Sequence, residues 1–124
     1  MQSKKVLTWC VQEKGTGKIA GRLDLGGFQK KTFAEIAYHF AQDFWHRGVT
    51  TEVVECITNF GIQKLKLHRI QGLVRTENIA SILVLKKNGY IEEGRLRLYA
   101  FGKEFHNAVI LAIVNKDNLK NNTL

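Results

Sequence analysis

Long hydrophobic runs are missing from this chain. The longest apolar stretches, such as Ala108 to Val114, are much shorter than the roughly 18 residues that identify a membrane-spanning helix. Met1 to Lys5 are not followed by the apolar segment of a secretory signal. We therefore expect a cytoplasmic protein that makes no contact with a membrane.

Cysteine is also scarce, because the chain contains only Cys10 and Cys56. Two isolated cysteines do not make the dense framework of a small disulfide-stabilised protein. His68 and His106 lack metal-ligand spacing with a cysteine or a carboxylate pair. We expect reduced structural thiols and no metal ion.

Acidic residues are outnumbered, with 11 Asp and Glu against 19 Lys and Arg, which gives a formal net charge of +8. Such a charge attracts a polyanion, which leaves nucleic acid, a phosphorylated cofactor or an acidic surface as candidates. The basic residues are scattered in pairs such as Lys30 and Lys31 rather than lined along one helix. A basic nucleic-acid or ribosome-binding module is therefore a weaker alternative.

Turn formers and apolar periodicity predict six strands and two helices in a single domain spanning residues 1–124. Gly26 and Gly27 are expected to end the second strand, and residues 116–124 to form a frayed tail. The predicted strands are Lys5 to Gln12, Lys18 to Leu25, Phe33 to Phe40, Leu67 to Val74, Tyr90 to Phe101 and Phe105 to Asn115.

The first predicted helix begins at Thr51 and carries an apolar stripe of Val53, Ile57 and Phe60. The second runs from Ile79 to Asn88, with Asn78 as its N-cap and Gly89 after its end. A right-handed crossover makes the strands on either side of the first helix parallel neighbours, whereas the hairpins are antiparallel. The expected fold class is α/β (α+β), with helices on the faces of a mixed, mostly antiparallel sheet.

The segment Phe44 to Val53 is the most informative one, because it joins a strand to a helix through a turn with Arg47 and Gly48. Backbone N–H groups at a helix start have no intrahelical partner and bind anions such as phosphates. The alternative is that Thr50 or Thr51 simply caps the helix. The segment alone does not decide between the two.

Five segments, in this order and spacing, resemble the GNAT acetyltransferases, in particular the branch of the ribosomal-protein N-terminal acetyltransferases RimJ and RimL. The resemblance covers about residues 6–114. It implies a central pair of splayed parallel strands, acetyl-CoA (CoA) as the cofactor, and transfer of the acetyl group to a primary amine. The acceptor would be a protein N-terminal α-amine or a small-molecule amine. The segments are Ala34 to Tyr38, Phe44 to Glu52, His68 to Ile70, Asn78 to Ser81 and Lys87 to Gly94.

The resemblance also implies which residues bind acetyl-CoA. The backbone from about His46 to Thr51 would hold the pyrophosphate, and Asn78 would bond the pantetheine arm. The alternative is that Asn78 is an ordinary helix cap and Ser81 an ordinary first-turn residue. The full expected set is Phe40, Ala41, His46, Arg47, Gly48, Val49, Thr50, Thr51, Asn78 and Ser81.

Three catalytic residues, Ser81, Glu35 and Tyr38, are expected from the same resemblance. The Ser81 hydroxyl would donate to the departing thiolate, and a backbone N–H near Tyr38 to Phe40 would stabilise the oxyanion. Glu35 would act as general base through water, with a surface or ion-paired glutamate as the alternative. His39 lies beside Tyr38 but is interpreted as structural.

The sequence departs from this branch in one respect. Its members begin with a further strand and one or two helices, which form part of the acceptor pocket and have no counterpart before Lys5 here. The exposed surface that would result favours a homo-oligomer, with a dimer as the expected form. A CoA-binding but catalytically inactive product is the second hypothesis.

Overall fold

The computed structural model describes residues 5–29, 32–45 and 47–116. The predicted number and order of strands and helices are confirmed in this part of the chain. The strands are β1 (Leu7–Gln12), β2 (Ile19–Gln29), β3 (Phe33–Phe40), β4 (Arg69–Arg75), β5 (Ile91–Phe101) and β6 (Glu104–Val114). The helices are α1 (Val49–Gln63) and α2 (Ile79–Lys87), and a short 3-10 helix, Gln42–Phe44, follows β3. The expected frayed tail falls mostly on residues 117–124, which lie outside the described residues.

The strands form one sheet in the order β1-β2-β3-β4-β6-β5. Within the described residues, only β3 and β4 run parallel, and every other neighbouring pair is antiparallel. The expected mixed, mostly antiparallel α/β fold is therefore confirmed. The β5–β6 hairpin folds back so that β6 lies against β4 and β5 forms an edge of the sheet.

The central parallel strands separate after a short contact. β3 pairs with β4 from Phe33 opposite Arg69 to Glu35 opposite Gln71. Farther along, β3 stays with β2 as far as Phe40, while β4 stays with β6 as far as Arg75. Each strand follows its antiparallel partner, and a gap opens between β3 and β4.

Both helices pack against one core. Val54 and Ile57 of α1 and Leu85 of α2 belong to the same buried cluster as the inward side chains of the sheet. Gly61 is needed where α1 lies on the sheet, because an added Cβ would be 2.9 Å from Ile70 Cδ1. Gly72 has the same role beneath α2, where a Cβ would be 3.0 Å from Leu85 Cδ1.

The predicted apolar stripe of α1 is partly wrong. Ile57 is buried, but Phe60 is 37% exposed and forms a T-shaped contact with the Trp9 ring, with the ring centres 5.7 Å apart. The buried face is rotated toward Val54, Ile57, Thr58 and Gly61. It includes a threonine and a glycine, which an apolar count overlooks.

Two predicted boundaries are also wrong. The Gly26-Gly27 pair does not end β2, because the strand continues to Gln29 through a register shift in which Gly27 has φ 59°. The first helix begins at Val49, and Gly48 is its N-cap, so neither Thr50 nor Thr51 caps it.

The second helix follows the prediction closely. The Asn78 side chain accepts a hydrogen bond from the Ser81 N–H at 3.2 Å, as expected of an N-cap. Gly89 has φ 87° after the helix end. None of the helices in the described ranges is both long and apolar enough to cross a bilayer.

Candidate functional site

A cleft of about 630 Å³ lies beside the gap between β3 and β4. Residues from the end of β3, the turn before α1, the first turn of α1 and one side of α2 line it. They are Tyr38, His39, Phe40, Phe44, Trp45, Gly48, Thr50, Thr51, Asn78, Ala80, Ser81, Leu83, Val84 and Lys87.

The start of α1 presents backbone donors to this cleft. The first helical bond runs from the Glu52 N–H to the Gly48 carbonyl, so the N–H groups of the three preceding helical residues have no acceptor within the helix. Gly48 has φ 77°, and an added Cβ would meet no heavy atom within 4 Å. The helix start therefore combines a left-handed glycine with open space, which suits close approach by an anion.

The turn before α1 is held in place by Trp45. Its indole Nε1 donates to the Phe40 carbonyl at 2.9 Å, although about half of the side chain is exposed. The bond ties the end of β3 to the turn.

Arg47 does not line the cleft, although its guanidinium packs over Phe44, which does. Its guanidinium forms a 3.0 Å ion pair with Glu13 and lies 5.0 Å from the centre of the Phe44 ring. Hydrogen bonds from Thr16 and Arg47 lower the pKa of the Glu13 carboxyl. Arg47, which was expected to place a positive charge beside the cleft, is thus paired with a residue of the turn between β1 and β2.

Lys87 supplies a cation that the sequence analysis missed. It lies in the last turn of α2 and lines the cleft opposite Thr50 and Thr51. The adjacent Asn88 donates through Nδ2 to the Thr51 carbonyl at 3.2 Å and to the Val84 carbonyl at 3.0 Å. These bonds join the end of α2 to the start of α1. A lysine near a helix end was visible in the sequence, but its distance from Gly48 depends on the packing of the helices.

A pair of hydroxyl groups lies where the cleft meets the gap. Tyr38 Oη is 2.7 Å from Ser81 Oγ, where either oxygen can be the donor, and it is 3.3 Å from the Ser81 carbonyl, which is the alternative acceptor for the single phenol proton. Burial raises the pKa of the Tyr38 phenol, against the opposing effect of its bond to Ser81. The phenol therefore stays protonated at neutral pH and can act as a donor.

Glu35 lies apart from this pair. Along β3, Ala34, Ile36, Tyr38 and Phe40 share one face of the strand, so Glu35 is on the other face. Its Oε1 accepts from Gln71 Nε2 at 3.3 Å, in the last paired row of β3 and β4. The role of Glu35 as general base stays a prediction.

Most of the predicted acetyl-CoA residues converge on the cleft. Ala41 and Val49 flank the lining without belonging to it, as does Arg47, and His46 lies outside the described residues. The free donors at the start of α1 and the cation of Lys87 suit a phosphorylated ligand. The predicted residues that line the cleft are Tyr38, Phe40, Gly48, Thr50, Thr51, Asn78 and Ser81.

Comparison with known proteins identifies the fold and the family. Residues 1–91 match the family model described as the acetyltransferase (GNAT) domain. YoaA of Bacillus subtilis, named an uncharacterized N-acetyltransferase, is 33% identical over 101 residues, which are 81% of this chain and 57% of YoaA. The chain spans about half the length of the curated relatives it matches.

Solved structures share the architecture. The ribosomal-protein-S5-alanine acetyltransferase of Vibrio fischeri superposes with a TM-score of 0.85 at 19% identity, over 90% of this chain and 63% of that one. A spermidine N-acetyltransferase, SpeG, of Vibrio cholerae superposes with a TM-score of 0.80 at 19% identity, over 95% and 70%. At this identity they show the fold alone. Since the family model covers most of the chain, the predicted resemblance is confirmed: the protein belongs to the GNAT acetyltransferase family.

Proposed function

We propose that the protein is an acetyl-CoA-dependent N-acetyltransferase that transfers an acetyl group to a primary amine. The observation that carries this proposal is the hydroxyl pair Tyr38–Ser81, whose oxygens are 2.7 Å apart at the edge of a cleft bordered by the free donors of α1. Bound acetyl-CoA would supply an activated thioester. The hydroxyl pair would donate to the departing thiolate, and the N–H groups at the start of α1 would bind the phosphate groups.

The chain's own residues have distinct parts in the proposal. The backbone around Gly48 and the Lys87 ammonium hold negative charge at one end of the cleft. When the Tyr38 phenol donates to Ser81 Oγ, the Ser81 hydroxyl proton is free to point into the cleft. Ser81 then supplies a hydrogen bond to a developing thiolate. The raised pKa of Tyr38 suits sustained hydrogen bonding rather than proton loss.

The Asn78 cap has a second consequence for the site. Its side-chain oxygen accepts from the Ser81 N–H, which fixes the first turn of α2 and so the direction of the Ser81 side chain. Its amide group is exposed at the cleft lining and can bond a bound ligand. Capping and ligand binding are therefore compatible roles of the same residue.

The test measures binding and turnover separately. Titration calorimetry with CoA reports on the cleft, and thiol release from acetyl-CoA, with panels of peptide and small-molecule amines, reports on transfer. We expect binding together with amine-dependent thiol release. Binding with no release in any panel would restrict the protein to CoA binding, and no binding would refute the assignment of the cleft. Salt-dependent nucleic-acid binding that CoA leaves unchanged would favour the nucleic-acid alternative.

We also propose that the protein acts in the cytoplasm as a homodimer. Exposed apolar side chains on the β5–β6 hairpin support an association surface, because Leu98 is 67% exposed and Phe105 65%. Light scattering on the purified protein tests this directly. A monomer at micromolar concentration would refute the dimer.

A further inference from the structure

The gap between β3 and β4 is lined from both faces of the sheet, by Ile36 and Leu85 on the side of the helices and by Ala37 and Arg75 at alternate strand positions. A second, smaller cleft of about 200 Å³ occupies the gap and shares Tyr38, Asn78 and Ser81 with the first. Its far side is formed by Arg75 and Phe101. A molecule there would meet the Tyr38–Ser81 pair from the side opposite the helices.

Arg75 lies on that opposite face because of the strand alternation. Along β4, Ile70, Gly72 and Val74 are buried toward the helices, so Arg75 projects the other way at the end of the strand. Among the described residues that line the small cleft, Arg75 alone carries a charge at neutral pH. The Glu104 carboxylate lies outside this lining, 3.9 Å from the guanidinium.

Phe101 restrains the Arg75 guanidinium, which still has N–H donors available for a ligand. It lies 5.5 Å from the centre of the Phe101 ring, a contact that restrains its plane. Its nearest carboxylate oxygen is Glu104 Oε1 at 3.9 Å, which is too long for a hydrogen bond. Glu104 is instead bonded to His106 Nε2 at 2.8 Å. Since an arginine carries five N–H donors in a planar fork, Arg75 retains the geometry to bind a carboxylate in two-point fashion.

We propose that Arg75 selects acceptor amines that carry a carboxylate close to the amine, as free amino acids do. This inference rests on the proposed N-acetyltransferase function. The carboxylate binds the Arg75 guanidinium, and the amine of the same molecule is directed toward the shared residues Tyr38 and Ser81. A polyamine is disfavoured, because its second cation would face the arginine without a carboxylate in the lining.

The size of the small cleft agrees with a small acceptor. Its volume of about 200 Å³ equals that of about seven water molecules. That is room for a compact amino acid or for the first residue of a peptide. The charge of Arg75 distinguishes these two, because the first residue of a peptide has an amide where the free amino acid has a carboxylate.

The experiment compares acceptors that differ only in this group. Thiol release from acetyl-CoA is measured with L-leucine, L-leucinamide, isopentylamine and spermidine, and with the same acid and amide pair for alanine and glutamate. We expect kcat/KM for at least one acid to exceed that of its amide by tenfold or more. The more readily deprotonated amine of the amide would favour the opposite order, so the preference is a stringent sign of carboxylate recognition.

Variants assign the preference to the arginine. Arg75→Gln should lower kcat/KM for the acid by roughly 10- to 100-fold through KM and bring the ratio of acid to amide close to 1. Arg75→Lys should retain part of the preference, because lysine keeps the positive charge but lacks the planar guanidinium that binds a carboxylate at two points. Glu104→Gln is the matched control: it removes the nearest carboxylate, keeps Arg75, and should leave the preference intact or larger. CoA affinity should be unchanged in all three variants.

The outcomes separate this inference from the function on which it rests. Thiol release with amides, peptides or spermidine but not with the acids would overturn the role of Arg75 and keep the acetyltransferase. An acid preference that survives Arg75→Gln would also overturn it. Absence of release with every acceptor would refute both. Calorimetric titration of the acid and its amide into CoA-saturated protein adds a readout without turnover, and equal affinity for the two would count against the proposal.

Discussion

Tyr38 Oη lies 2.7 Å from Ser81 Oγ, although the two residues are 43 positions apart in the chain. β3 supplies the phenol at the start of the gap, and the first turn of α2 supplies the serine. The bond therefore spans the place where a thioester would enter. In the proposed function, the two hydroxyl groups act as a pair.

The first prediction concerns these hydroxyl groups. Ser81→Ala and Tyr38→Phe should each lower kcat by roughly 10- to 1,000-fold while the Kd for CoA changes little, because a hydrogen bond to the leaving group matters in the transition state. The double variant should lose little more than the worse single variant, since the groups act as a unit. Steady-state kinetics and calorimetry provide both numbers. Additive losses would contradict a coupled pair.

A second prediction concerns Gly48. Gly48→Ala should weaken CoA binding, because an alanine at φ 77° is strained and shifts the helix start that carries the donors. A bulkier residue there should weaken binding further by obstructing the phosphates. Calorimetric Kd values measure both effects.

Gly102 provides the matched control. It has φ 64° in the β5–β6 turn, and its added Cβ would also meet nothing within 4 Å. Gly102→Ala should therefore lower stability by a similar amount, about 1 to 2 kcal/mol, without changing the Kd. If the two variants lose CoA affinity equally, strain alone explains the loss and the helix start has no special role.

The third prediction separates two cations. Lys87→Gln should raise the Kd for CoA by roughly 3- to 10-fold at low salt, because Lys87 lines the cleft. Arg47→Gln should have the smaller effect, since Arg47 is paired with Glu13. Lys86→Gln, which removes the same charge one position away from the lining, should leave the Kd nearly unchanged. A larger effect of Arg47→Gln would show that the Glu13 pair opens when the ligand binds.

The sequence predicts best those features that depend on residues close together in the chain. The cap of Asn78 and the left-handed Gly89 depend on neighbouring residues, and both were predicted with the ends of α2. Gly26 and Gly27 were interpreted as a strand end, because a bulge differs from a break only in whether the partner strand continues. The donors at the start of α1 were predicted from the turn that precedes them.

Contacts between side chains that are far apart in the chain could not be predicted from neighbouring residues. Arg47 was expected to face an anion, but it is paired with Glu13, 34 positions earlier, and nothing near Arg47 in the chain indicates this. Lys87 and Arg75 became visible as cleft residues only after the helices and strands were placed. The resemblance predicted several residues that line the cleft, whereas the charges beside the cleft depend on how the helices and strands pack.

The last prediction concerns stability at high pH. Tyr90 is 2% exposed, and its hydroxyl lies 2.8 Å from the buried Thr58 hydroxyl. Burial raises the pKa of the Tyr90 phenol above its ordinary value, and the bond to Thr58 opposes this only in part. Because the folded protein holds this proton more tightly than the unfolded chain, its contribution to stability is complete below about pH 10 and is lost as the pH rises further.

Urea denaturation between pH 8 and 11 measures this loss. The free energy of unfolding should be steady up to about pH 10 and then decline, and Tyr90→Phe should decline less steeply, with Tyr38 supplying part of the remaining slope. At neutral pH, Tyr90→Phe and Thr58→Val should each cost about 1 to 3 kcal/mol, because each leaves a buried hydroxyl unpaired. The double variant should cost less than the sum, since no orphaned hydroxyl remains. Additive costs and an unchanged alkaline slope would show that the Tyr90 hydroxyl is solvated rather than held by Thr58.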